Sequence, residues 1–329
     1  MRPGRACGLP RGAVSPRIPS AMSTPPDNRT TGAERPLCLC VSREWGAPED
    51  FVETVAETGW NGWFAVWRPE ADLRLAARRG AAAGLAVQSV HAPWGRAADL
   101  WGADEAKGEA AVAELVDCLR VAADIGAPFV VAHAWIGFVP TAPTEDGIRR
   151  FARVADEAER LGVPVALENT EGEEHLDALL SRFAGHPAVG FCWDTGHELC
   201  YNRGRDLMAA YGARLLGTHL NDNLGISDPA GPTTWLDDLH LLPFDGIADW
   251  PGIAARLARS GFSGPLTFEL NLTSRPGRHE NDAYGAMPLR DYLAEALARA
   301  RRVAALVAAC RATPAAPRDR HLAPSDAHD

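Results

Sequence analysis

Between residues 37 and 310 the chain repeats a single rhythm: a short apolar run ending in a polar residue or a turn, then a longer stretch with helical spacing. Eight runs follow one another: LCLCV at 37–41, WFAVW at 63–67, LAVQSVH at 85–91, FVVAH at 129–133, VPVALEN at 163–169, VGFCWD at 189–194, RLLGTHL at 214–220 and PLTFEL at 265–270. Near-continuous Val, Leu and Phe over so few residues suits strands buried on both faces. The stretches between them, such as TEDGIRRFARVADEAERLG, place apolar residues at i, i+3 and i+4 and stop on glycine, as helices do. Strict alternation of the two predicts parallel βαβ units. Eight units of roughly 34 residues each fit a closed (β/α)8 barrel. The competing open, doubly wound sheet would carry G-x-G-x-x-G after a strand, and no run is followed by one.

The expected architecture is therefore α/β, a (β/α)8 TIM barrel forming one domain over residues 37–311. The flanks at 1–36 and 312–329 are rich in Pro, Gly, Ser, Thr and Arg without apolar period and are expected to be disordered tails.

Charge and composition exclude several functions. With 33 Lys+Arg against 43 Asp+Glu, the formal charge of −10 gives no attraction to nucleic acid or to an anionic membrane. Lys107 is the only lysine and sits in a helical stretch, so Schiff-base chemistry is not expected. Seven cysteines form no C-x-x-C pair and are odd in number, which suits a reducing compartment. The first residues carry arginines and prolines where a secretory leader is apolar, and no stretch approaches the ~20 residues of a spanning helix. The expected location is the cytoplasm, without a membrane or nucleic-acid partner; a homo-oligomer is compatible with the sequence.

In a parallel barrel the chemistry gathers at the C-terminal ends of the strands, so the residue on which each run closes is the informative one. Runs 3, 4 and 6 end at His91, His133 and Asp194, the last with His197 three residues on, and runs 5, 7 and 8 carry Glu168, His219 and Glu269 one residue before their ends. The loop after run 7 adds Asp238 and His240, whose i, i+2 spacing in extended chain would point both side chains one way. A single histidine at a strand end is usually a hydrogen-bonded structural residue. Here five of the ten histidines and four carboxylates converge if the barrel closes, and such a cluster is costly to bury without a cation. Histidine with carboxylate, and no clustered cysteine set, points to Mn²⁺, Zn²⁺ or Co²⁺ ahead of Mg²⁺. Cys192, beside the cluster, reads as a core residue.

The series SVHAPW, VVAHAW, ALENTEG, CWDTGH, GTHLNDN, DDLHLLPFDGIADW and TFEL resembles the sugar phosphate isomerase/epimerase family, the xylose isomerase-like barrel superfamily that also includes ketose 3-epimerases and endonuclease IV. The resemblance covers about residues 37–300 and implies a divalent-metal-dependent enzyme acting on a small polyhydroxy-carbonyl substrate. By position, the single metal site of the ketose epimerases would be Glu168, Asp194, His219 and Glu269, with His197 on the substrate. The two glutamates would then remove and return a proton α to a carbonyl while the metal holds the developing enediolate. Carried over from endonuclease IV, all nine residues, His91, His133, Glu168, Asp194, His197, His219, Asp238, His240 and Glu269, would instead hold three zinc ions that hydrolyse a phosphodiester at abasic DNA. A non-catalytic metal- or sugar-binding barrel is the third alternative.

The chain departs from these relatives in places. Xylose isomerases proper place a lysine beside their metals, and none is offered here. Trp67 and Arg68 stand at the end of run 2 where relatives often have glutamate, and Gly225 stands where ketose epimerases often have arginine. Trp94, Trp101, Trp135 and Trp193 border the runs and read either as core or as an apolar wall for a sugar face. Arg275, Arg278 and His279 follow run 8, where barrels frequently bind phosphate, or form a solvated loop.

Overall fold

A computed structural model describes residues 35–312 apart from positions 43 and 140. The tails expected at 1–36 and 312–329 lie, but for residues 35, 36 and 312, outside the described residues. Eight parallel strands form one sheet: β1 (Leu37–Cys40), β2 (Gly62–Val66), β3 (Ala86–His91), β4 (Val130–His133), β5 (Val165–Glu168), β6 (Val189–Asp194), β7 (Leu215–His219) and β8 (Leu266–Phe268). From β1 to β7 each strand pairs with the next and β1 also pairs with β8, giving the order β7-β6-β5-β4-β3-β2-β1-β8. Between β7 and β8 the ring closes through a parallel bridge, Leu220 with Phe268, so the barrel is nearly continuous.

The long helices lie between the strands: α1 (Pro48–Glu57), α2 (Leu73–Ala82), α3 (Glu105–Asp124), α4 (Glu145–Leu161) and α5 (Glu173–Arg182). Short α6 (Thr195–Cys200) and α7 (Leu207–Tyr211) follow β6, α8 (Trp250–Arg259) precedes β8, and α9 (Asp282–Gly285) and α10 (Leu289–Ala312) end the described chain. Helix starts obey local chemistry: Asp104 and Thr144 accept from the backbone N–H of Lys107 and Gly147. The stop at α4 is Gly162 in the left-handed region, φ +68°. No helix among the described residues is long and apolar enough to cross a membrane.

The alternation of strand side chains explains both core and site. Outward residues such as Val130, Leu167 and Trp193 pack under the helices in the main core. Inward, Phe129, Val131, Ala166 and Cys192 form a small apolar layer with Leu216 against it. Gly217 leaves room for this layer, because a Cβ there would meet the Phe129 ring at 2.6 Å. Two residues further along each strand the next inward side chain is His133, Glu168, Asp194 or His219, stacked one layer above Val131, Ala166, Cys192 or Gly217. The apolar floor and the polar layer above it are thus one period of the same pleat.

Candidate metal centre

The polar layer opens into a cavity of about 600 Å³ at the C-terminal ends of the strands. Glu168 is its hub. The residue is fully buried; its Oε1 lies 2.7 Å from His219 Nδ1, and its Oε2 lies 3.1 Å from His91 Nε2 and 3.3 Å from His133 Nε2. Glu269, one residue past β8 and 18% exposed, brings Oε2 to 2.9 Å from the same His219 Nδ1. Asp194 closes the group: the donor atoms of Glu168, Asp194, His219 and Glu269 all fall within 4.8 Å of one another. The same spacing holds for His91, Glu168 and His219, and for His197, Asp238 and His240.

The D-T-G-H segment has a local reason. Asp194 caps α6, accepting from His197 N–H at 2.7 Å, so the first turn of that helix swings His197 over the cavity. There His197 Nδ1 lies 2.9 Å from Asn169 O, and Nε2 lies 3.3 Å from Asp238 Oδ1. His240 reaches the same carboxylate, Nε2 to Asp238 Oδ2 at 2.9 Å, with Nδ1 3.2 Å from Glu269 O. The two residues do converge, but not by extended alternation as the spacing suggested. His240 sits at φ +48°, and this left-handed turn folds its ring back onto Asp238. Asp222 of the H-L-N-D segment faces away from the cluster. It accepts from Phe244 N–H, Ala248 N–H and the Trp250 indole, and so holds the loop that carries His240.

Electrostatics follow from four carboxylates and five imidazoles sharing one buried volume. Burial acts to raise the Glu168 carboxyl, yet the His219 charge and the bonds to His133, His219 and His91 outweigh it and hold it well below the usual range. Burial likewise works against ionised Glu269, but His219 brings it down to about 2. For Asp194 burial wins over His197 and His240, and the carboxyl rises to about 6. Burial disfavours charged His240, yet Asp238 lifts it to about 9. In the protein alone, the carboxylates favour protonated His197, His219 and His240. Divalent cations would balance the carboxylates with neutral histidines, and the Nδ1 contacts of His197 and His240 with backbone carbonyls leave each Nε2 facing the carboxylate, as metal-ligating histidines are held. The donor set fits a divalent cation.

Other predicted positions divide. Trp94 lines the cavity and stacks on His133 at 5.4 Å between ring centroids. Trp101, Trp135 and Trp193 are core residues, and so is Cys192. Arg275 lines the cavity, whereas Arg278 pairs with Glu280 and His279 is exposed. The sequence reading missed the residues that hold these candidate ligands. Asn221 Nδ2 donates to Asp194 Oδ2 at 2.8 Å, and Asn169 clamps the Asp194 backbone through both N–H and C=O. Phe64, fully buried in β2, stacks on His219 at 4.6 Å and 6°. The asparagines stand inside E-N-T and H-L-N, a usable signal; nothing marks Phe64 among the apolar residues of its strand.

Residues 50–302 match the profile of a family described as xylose isomerase-like TIM barrel. The chain is 30% identical over 164 residues to the y4fM protein of Sinorhizobium fredii, covering 46% of this chain and 50% of that one. It is 34% identical over 114 residues to a protein of Mycobacterium ulcerans named probable endonuclease 4, covering 31% and 44%. The matches thus span about half the length of these relatives or less. Among solved structures, an L-ribulose 3-epimerase superposes with a TM-score of 0.62 at 18% identity, over 85% of this chain and 96% of that one. The IOLI protein, solved with a binding zinc atom, gives 0.64 at 18% identity, over 83% and 98%.

Proposed function

Since the chain belongs to the xylose isomerase-like TIM barrel family, we propose that it is a divalent-metal-dependent isomerase or epimerase of a small sugar, sugar phosphate or keto-polyol. The observation that carries this reading is the meeting of Glu168 and Glu269 at His219 Nδ1, 2.7 and 2.9 Å away, on the floor of a cavity of about 600 Å³. The two carboxylates come from strands three steps apart around the ring, so a substrate over His219 meets one from either side. Glu168, Asp194, His219 and Glu269 would hold the cation, which when bound supplies the electrostatic stabilisation that makes a proton α to a carbonyl removable. Glu269, ionised and partly open to the cavity, is the group placed to take that proton, and Glu168 is the second carboxylate of the pair between which it would be transferred. Trp94 supplies an apolar wall, and Asp194 orients His197 towards the substrate. The mouth also carries Glu44 and Glu171, which favours a small neutral or cation-bridged substrate over a polyanion.

A second reading, a zinc phosphodiesterase acting on abasic DNA, draws on one observation. Both oxygens of Glu168 are engaged, Oε1 by His219 and Oε2 by His91 and His133, so with His219 on one oxygen and His91 and His133 on the other the residue could help to hold more than one ion. Heavy water separates the two. With Mn²⁺ or Co²⁺, the proposed enzyme places solvent deuterium at a carbinol carbon of a ketose, inosose or related keto-polyol, and Glu269→Gln lowers turnover by orders of magnitude. No exchange across a broad screen, with metal-dependent cutting of an abasic oligonucleotide, would replace the isomerase reading with the nuclease.

A further inference from the structure

The third group of candidate ligands, His197, Asp238 and His240, has an arginine against it. Arg275, in the loop after β8, donates from Nη2 to Asp238 Oδ2 at 2.9 Å and from Nε to the Asp238 backbone carbonyl. Its guanidinium also lies over the Trp235 ring, 5.8 Å from the centroid. The side chain is 24% exposed and lines the cavity. We propose that Arg275 is the built-in cation of this group, standing where a third metal ion would otherwise bind, so that the centre holds at most two ions. The inference rests on reading the mouth as a metal centre.

Two arguments support it. The first is repulsion at one carboxylate: Oδ2 of Asp238 already accepts from Arg275 and faces His240 Nε2, while Oδ1 lies 3.3 Å from His197 Nε2 without a hydrogen-bond partner. A divalent ion drawn to either oxygen would have to displace the guanidinium or sit beside it, and like charges repel strongly in a partly buried site. The second is charge balance. Glu168, Asp194, Asp238 and Glu269 supply four negative charges. Three divalent ions together with Arg275 would leave a surplus of three positive charges, two ions a surplus of one, and one ion a deficit of one. A buried cluster is most stable near neutrality. The arginine therefore also bears on the reaction, because chemistry that needs three ions has no seat for the third.

The test is metal stoichiometry. Protein stripped with chelator is dialysed against Zn²⁺ or Mn²⁺ and its bound ions are counted by elemental analysis. Wild type is expected to hold one or two ions per chain. Arg275→Met, which keeps an apolar stem against Trp235 but frees Asp238, is expected to gain about one ion, and Arg275→Met with Asp238→Asn to lose that gain. Arg275→Lys, which keeps the charge, is expected to gain none. Three ions in wild type, an undiminished gain in the lysine variant, or no gain in the methionine variant of a protein that binds one or two ions, would each overturn the role of Arg275 and leave the metal centre standing. No bound ion in any variant would overturn the metal reading itself.

Discussion

Asn221 offers the most direct test of how the centre is held. It is fully buried, and its Nδ2 donates to Asp194 Oδ2 at 2.8 Å, while Asp194 Oδ1 is taken by the backbone of α6. The approach is close enough that a Cβ on Gly196 would meet Asn221 Oδ1 at 1.9 Å, so only glycine fits there. Asn221→Ala removes one charge-assisted hydrogen bond from a buried carboxylate, a loss of about 1.5–3 kcal/mol. Burial has already pushed Asp194 up to about 6, and losing a donor to the ionised form raises it further. At about 1.4 kcal/mol per decade, cation affinity should fall roughly 10- to 100-fold. The sign of the pH effect follows. The cation needs Asp194 deprotonated, so wild-type affinity weakens as pH falls through about 6, on top of the proton that it must displace from His219, which the carboxylates hold well above the usual imidazole range. In Asn221→Ala that decline begins at higher pH. Competition against a chromophoric chelator from about pH 5 to 8, with circular dichroism as a check on the fold, measures both effects. Affinity within twofold of wild type and an unchanged pH profile, in a folded variant, would refute the reasoning.

Three further outcomes are expected. Chelation should lower the melting temperature reversibly: an ion present at about 1,000 times its dissociation constant contributes about 4 kcal/mol, or about 8 °C for a domain of this size, restored by Mn²⁺ or Zn²⁺ in a calorimetric scan. Gly172 has φ +73°, and a Cβ there would meet the Trp135 ring at 2.4 Å; Gly172→Ala should cost about 2 kcal/mol or more in denaturant unfolding, because backbone strain adds to the clash. Arg150 is fully buried and donates to Leu100 O and Gly102 O at 2.8 and 2.7 Å. Arg150→Met leaves those carbonyls without a donor and should cost about 2–4 kcal/mol, with cation stoichiometry unchanged.

The barrel was legible because its signals are local. A strand buried on both faces announces itself by a run such as VGFCWD, a helix by its apolar period and its closing glycine, and the order of eight such pairs leaves few ways to bury every face. The positions that line the mouth were legible for the same reason. The pleat alternates with period two, so the last inward residue of each strand reaches the mouth whatever its neighbours are. Only tertiary structure decided how those side chains meet. That His240 turns through a left-handed backbone to face Asp238, that Arg275 lies on the same carboxylate, and that Asn221 and Phe64 hold Asp194 and His219, are contacts between segments distant in the chain. Likewise the fate of each tryptophan, cavity wall for Trp94 and core for Trp101, Trp135 and Trp193, depends on which face of the sheet it meets once the ring has closed. Residue type and spacing determine which way a side chain leaves its own strand; its partner is determined by the packing of every other strand and loop.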